Sequence, residues 1–189
     1  MERVAETVQR LKQDASKKRI VIAIDGRCAG GKTTLGSYLE QEFDANLLHM
    51  DDFFLQAGQR TKERLAQPGG NVDYERFKTE VLEPVLFGKE VCYRRFDCGS
   101  MQILEGVRMP VKRINIIEGA YSQHPYFGSV YDLKIFLDID KVSQIENIRR
   151  RDGEENLKMF VERWIPMEEA YFKAFDIKEQ SDLVWRYKG

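Results

Sequence analysis

Apolar positions recur along this chain in two rhythms. Ile20 to Ile24, Ile114 to Ile117 and Leu133 to Leu137 are short, mostly apolar runs, rich in β-branched residues and bounded by turn or polar residues. Such runs predict strands buried on both faces of a parallel sheet. Ala45 to His49 and Leu183 to Trp185 are weaker runs of the same kind, for a second strand and a last one. Elsewhere the apolar residues fall at helical spacing, over Thr33 to Phe43, Tyr74 to Phe87, Val142 to Arg151 and Glu154 to Phe175. In the last of these Trp164, Tyr171 and Phe172 form one stripe, read as a core face. Val4, Val8 and Leu11 give Glu2 to Lys17 a narrow apolar face, predicting an amphipathic helix ahead of the first strand. Alternation of strands and helices predicts a doubly wound, three-layer α/β/α fold around a five-stranded parallel sheet.

One region breaks the alternation. From Lys89 to Met109 the chain reads KEVCYRRFDCGSMQILEGVRM, with a Cys-Gly-Ser turn signal between two apolar runs. A β-hairpin inserted over about 89–109 accounts for it. No repeat, low-complexity tract or long Pro/Gly-rich linker divides the chain, so residues 1–189 are expected to form one domain.

Composition narrows the function classes. Thirty Lys and Arg against 31 Asp and Glu leave no net field to recruit nucleic acid or an anionic membrane. The longest apolar run falls far short of the roughly 20 residues a spanning helix needs. The three cysteines lack metal-ligand spacing and no signal-peptide pattern opens the chain, so a reduced cytoplasmic compartment is expected. The expected partner is a small molecule rather than nucleic acid or membrane, with self-association left open.

The strongest local signal follows the first run. Gly26, Arg27, Cys28, Ala29, Gly30, Gly31, Lys32, Thr33 and Thr34 form the Walker A pattern, with a predicted strand before it and a helix after it. Glycines let successive backbone N–H groups turn toward one anion, and the helix N-terminus adds its positive dipole end. Lys32 is placed to bridge the β- and γ-phosphates of ATP, and the Thr33 hydroxyl to ligate Mg²⁺. Cys28, at a helix N-terminus, sits where a thiol is prone to oxidation. Neither the Asn-Lys-x-Asp segment nor the Asp-x-x-Gly switch of a GTPase occurs.

Phosphoryl transfer also needs a base for the acceptor, a carboxylate on the metal side and cations over the moving charge. Asp51 and Asp52 follow the second strand in LLHMDDFF; either is a candidate base, or both are turn aspartates. Glu118 closes the third predicted strand in INIIEGAY, where a carboxylate can hold a water of the Mg²⁺ shell. Arg149, Arg150 and Arg151 lead into a polar turn and suit a mobile lid over about 149–156, as well as a helix end.

With these parts in order, the chain resembles the uridine kinase-like family of P-loop kinases, whose relatives include phosphoribulokinase and bacterial pantothenate kinase. The resemblance runs from about Arg19 to Trp185 and rests on DGRCAGGKTT, MDDFF, PGGNVDYERF, IIEGAY, YDLKIFLDID, the arginine lid and QSDLVW. It implies an ATP- and Mg²⁺-dependent phosphotransferase with an alcohol acceptor. Asp51 matches the family's catalytic base, while Asp52 stands where uridine kinases usually have serine. Asp73 matches an aspartate that holds the acceptor's sugar hydroxyls, and it is also placed as a helix N-cap. Glu118 matches the metal-side glutamate, and the hairpin matches the one that covers the acceptor base, giving Tyr93, Arg95 and Phe96 as substrate-side candidates. Uridine or cytidine is the acceptor the resemblance names first.

YRRFDCGSMQ departs from the family, which carries Tyr-Asp-Phe and then a histidine on this hairpin. Arg94 and Arg95 suit an acceptor bearing a carboxylate or phosphate, or else a solvated face. The alternatives are therefore a pantothenate-, glycerate- or sugar-phosphate-like acceptor, or a nucleotide-binding module or NTPase that serves no metabolite.

Overall fold

The computed structural model describes residues 1–186. Helix α1 (Glu2–Gln13) buries Val4 and Val8 and ends four residues before the predicted Lys17. Its stop is local: the Asp14 carboxylate accepts the Ser16 N–H at 2.9 Å, closing a turn that competes with another helical turn. Strand β1 (Ile20–Gly26) is buried throughout and runs into α2 (Lys32–Phe43) and β2 (Asn46–His49). A short helix α3 (Lys62–Leu65) precedes a continuous helical stretch made of α4 (Tyr74–Phe77), a π turn (Lys78–Leu82) and α5 (Glu83–Leu86). The hairpin β3 (Val91–Asp97) and β4 (Gln102–Met109) comes next, then β5 (Ile114–Glu118) and β6 (Leu133–Asp138). Helix α6 (Lys141–Met159), a second π turn (Phe160–Trp164), α7 (Ile165–Ala174) and β7 (Leu183–Arg186) complete the chain.

Five strands form a parallel sheet in the order β2-β5-β1-β6-β7, with helices on both faces. Successive side chains of a strand point to opposite faces, and the cores divide accordingly. Ile20, Ile22, Ile24, Ile114 and Ile116 pack with Val4, Val8, Leu35 and Leu39 on one side. Val21, Ile117 and Phe136 pack with Phe77, Val81, Tyr171 and Phe172 on the other.

In register, Ile24 and His49 both stand opposite Glu118, and Gly26 stands opposite Leu137. The carboxyl ends of the strands thus line up along one edge. The chain leaves β1 in one direction and later returns on its other side, which opens a crevice at the end of that strand.

Two predicted boundaries have clear physical causes. Helix α6 is interrupted by Gly153 at φ 83° and ψ 166°, where the sequence predicted two helices separated by Asp152 and Gly153. On β3 the register shifts between Arg94 and Phe96, so Val91, Tyr93 and Phe96 turn inward and the arginines outward.

Candidate phosphate and acceptor site

The loop from Gly26 to Gly31 lies in that crevice. Gly26 has φ 133°, and a Cβ there would lie 2.2 Å from the Leu137 carbonyl oxygen, so only glycine lets the loop leave β1 against β6. Gly31, at φ 89°, is the N-cap of α2, which starts at Lys32. Lys32 Nζ donates to the carbonyl oxygens of Gly26 at 2.7 Å and Arg27 at 3.0 Å, spanning the loop from within. The Thr33 hydroxyl donates to Glu118 Oε1 at 3.2 Å, joining the start of α2 to the end of β5.

Four acids hold the loop from outside. Asp25 is fully buried, yet its carboxylate accepts the N–H groups of Gly26, Tyr121 and Gln123 and the Tyr171 hydroxyl. Burial still pushes its carboxyl up to about 6. Arg27 turns away from the crevice and is clamped by Asp138 and Glu169, the latter accepting Nε at 2.5 Å. Glu168, at the start of α7, is buried with Oε2 accepting the Cys28 N–H at 2.9 Å. Burial pushes Glu168 up to about 7, against the pull of Lys32 and of the Cys28 N–H, with Asp51 pushing it further up. Cys28, expected to be prone to oxidation at a helix N-terminus, is buried, and burial followed by the charge of Glu168 pushes its thiol up to about 12. A neutral, largely buried thiol is a poor target for oxidation.

Loop, strand ends and α6 enclose a cleft of about 1070 Å³. Cys28, Ala29, Gly31, Lys32, Thr33 and Thr34 form its floor, and Asp51, Glu118, Arg150 and Arg151 its walls. Asp51 sits in a one-turn 3₁₀ segment directly after β2 and opens onto the cleft. Protein packed around it makes burial the largest influence, raising its carboxyl above the usual range; Glu118 and Asp52 add to this, while Lys32 and His49 oppose it.

Other sequence-singled residues lie back from this surface. Asp73 caps α4, accepting the Arg76 N–H at 3.0 Å and the Gln59 side chain at 2.8 Å. Tyr93 is buried against Phe53 and donates its hydroxyl to Asp52 at 2.9 Å; Arg95 reaches the same carboxylate at 3.3 Å. Asp52 therefore ties the hairpin to the strand end. Phe96 is buried, and Arg149 is paired with Glu154 on an exposed helix face.

In and beside the cleft lie further residues, most of which local sequence pattern did not single out. Glu168 had a signal: it falls at i−3 and i−4 from Tyr171 and Phe172, an acid on the apolar face of a helix. His49 bonds Glu118 Oε1 through Nδ1 at 2.5 Å, and that bond raises its pKa. Arg60, Asn71, Arg163 and Trp164 line the far end. Of the aromatic stripe, Tyr171 and Phe172 are core, whereas Trp164 is half-buried in the cleft wall. Nothing in local pattern distinguishes such wall residues from ordinary loop or core positions.

No protein-family model matches the chain, and no curated protein matches it in sequence. Solved structures match it in fold. A possible uridine kinase from Bacillus stearothermophilus aligns over 97% of this chain and 97% of its own, at 18% identity and a TM-score of 0.72. D-glycerate 3-kinase from Cryptococcus neoformans aligns over 98% of this chain and 93% of its own, at 14% identity and a TM-score of 0.65. Phosphoribulokinase from Rhodobacter spheroides aligns over 90% of this chain and 70% of its own, at 14% identity and a TM-score of 0.60. The chain has the α/β fold of these P-loop kinases, and among its described residues no helix is long and apolar enough to cross a membrane.

Proposed function

We propose that the protein is a phosphotransferase that moves the γ-phosphoryl group of ATP to a hydroxyl of a small molecule. The observation that carries this reading is the meeting of Asp51 with Lys32, Thr33 and Glu118 in one cleft. A nucleotide-binding module needs the loop alone; the carboxylate facing it is what transfer chemistry requires.

The residues fit both donor and metal. The loop's left-handed glycines and the first turn of α2 suit phosphate oxygens. Thr33 and Glu118 offer hard oxygen donors in contact with one another, the donor type Mg²⁺ prefers. Bound Mg²⁺ would neutralise phosphate charge as it develops. Asp51 takes the acceptor hydroxyl's proton while the hydroxyl oxygen bonds to Pγ. The bond from Pγ to the β,γ-bridging oxygen breaks, and its electron pair leaves with ADP. Lys32 neutralises the phosphates, and Arg150 and Arg151 approach them from the lid. The three cysteines are free, two of them exposed, which suits a reducing compartment.

Two solved structures of the same fold carry the names uridine kinase and D-glycerate 3-kinase, so nucleosides and hydroxy acids are both candidate acceptors. The test is ADP release with ATP and Mg²⁺ across both classes. Acceptor-dependent ADP that disappears in Lys32→Ala supports the reading. Normal nucleotide binding without product from any acceptor would favour the nucleotide-binding module instead.

A further inference from the structure

Two guanidinium groups at the far end of the cleft, Arg60 and Arg163, make no ion pair among the described residues; Arg163 is exposed and lies over the Trp164 ring, whereas Arg60 is held in place. Its neighbours are taken: Arg64 pairs with Glu75, Arg76 and Arg94 with Glu80, and Arg95 with Asp52. Arg60 is half-buried and donates Nε to the Leu55 carbonyl at 2.9 Å, with its guanidinium carbon 5.8 Å from the Phe96 ring centre. That bond and the ring fix its orientation. Among the described residues it makes no ion pair, and beyond the Leu55 carbonyl its side-chain partner is the neutral Cys98 thiol rather than a carboxylate. The same cleft is lined by Asn71, 5% exposed, whose side chain lies against the Tyr121 hydroxyl and whose Oδ1 is buried without a hydrogen-bond partner. Phe54, Leu65 and Met101 add apolar surface to the same cleft.

A held guanidinium and an orphaned acceptor oxygen are costly in a closing cleft unless a ligand satisfies them. A neutral nucleoside would leave the Arg60 charge uncompensated as the lid excludes water. Arginine's planar fork, by contrast, matches a carboxylate or phosphate. Arg94 and Arg95, the arginines suggested by the sequence for this task, are already spent on Glu80 and Asp52.

We propose that the acceptor is a small anionic alcohol: its hydroxyl meets Asp51, its carboxylate or phosphate pairs with Arg60, and a further O–H or N–H donates to Asn71 Oδ1. This rests on the phosphotransferase reading above and names the substrate class for it. The reacting hydroxyl loses its proton to Asp51 and gains Pγ, while the anionic group stays unchanged.

The experiment measures ADP release with ATP and Mg²⁺ for glycerate and pantothenate as carboxylate acceptors, ribulose 5-phosphate as a phosphate acceptor, and uridine, cytidine and glycerol as neutral ones. Turnover with an anionic arm is expected, and which arm responds distinguishes carboxylate from phosphate. Arg60→Ala should raise KM for that acceptor roughly tenfold or more, the scale of a charge-assisted bond, with kcat and ATP affinity little changed. Arg60→Lys keeps the charge and should recover part of the loss. Faster turnover with uridine, cytidine or glycerol would overturn the proposal while leaving the phosphotransferase reading intact. Inorganic phosphate serves as a second probe, titrated with a non-hydrolysable ATP analogue filling the loop. Binding that Arg60→Ala abolishes supports the anion site even if every acceptor fails, whereas equal binding by both proteins sinks it. Failure of the analogue to bind would count against the kinase reading alone.

Discussion

A carboxylate with raised proton affinity is a better base than a free one, and Asp51 is such a group: it opens onto the cleft with protein packed around it, and Glu118 and Asp52 nearby raise it further. Asp51→Asn keeps the shape and removes the proposed base. Turnover should fall by at least about a hundredfold with ATP affinity nearly intact, as single-turnover and nucleotide-binding measurements would show. Glu168 makes a different prediction. In the folded protein its carboxyl holds a proton up to about 7, against 4.5 as an unperturbed side chain. The folded state therefore binds more protons across that window, and this group's contribution to stability falls as pH rises from 4.5 to about 7, then levels off. Glu168→Gln removes the titration. The melting temperature of the variant minus that of the wild type should grow across the window and stay constant above it; a difference independent of pH would contradict the assignment. Asp51 was legible in sequence because it follows a strand directly. The environment of Glu168 was not, because its partners are the loop N–H of Cys28 and the charge of Lys32, more than a hundred residues away.

Proline and glycine shape the elements around the cleft. Each π turn precedes a proline by two residues: Lys78–Leu82 before Pro84, and Phe160–Trp164 before Pro166. Proline lacks an N–H and its ring crowds the carbonyl four residues back, which lies inside the π turn in both cases, so the widened turn keeps the helix continuous. The second of these carries Arg163 and Trp164 into the cleft wall. Gly153 acts on the other side of the lid. Its φ and ψ lie where residues with a Cβ are rarely found, although a Cβ would meet nothing within 4 Å. Gly153→Ala thus isolates the backbone term, expected at about 1–3 kcal/mol. Thermal melts should show the loss, and kcat should fall more than ATP affinity, because the lid rather than the loop is disturbed. Unchanged melting and kcat would remove Gly153 from any hinge role. The break was readable from Asp-Gly in the sequence; the π turns were readable only as prolines within helical patterns.

At the scale of the molecule, α6 and α7, which flank the proposed lid, are fastened to the loop from Gly26 to Gly31. From α6, Gln144 donates to the Cys28 carbonyl and Asn147 to the Ala29 carbonyl, each at 3.2 Å. From α7, Glu168 and Glu169 hold Cys28 and Arg27. The segment between these anchors carries Arg150, Arg151 and Arg163, so loop and lid are mechanically joined. ATP hydrolysis without an acceptor should accordingly be slow and rise when an acceptor completes the closed cleft. Comparing ADP release with and without acceptor measures this, and full-rate hydrolysis with water alone would mark an NTPase instead. The sequence by itself determined the sheet and the donor loop, because strand burial, helical spacing and Gly26 to Thr34 are local patterns that report local backbone geometry. Only the tertiary structure decided what lines the rest of the cleft. It spent Tyr93 and Arg95 on Asp52, Asp73 on a helix cap and Arg149 on Glu154, and it brought Arg60, Asn71 and Glu168 to the cleft. Which side chain is consumed by a partner and which is left for a ligand depends on contacts between segments far apart in the chain.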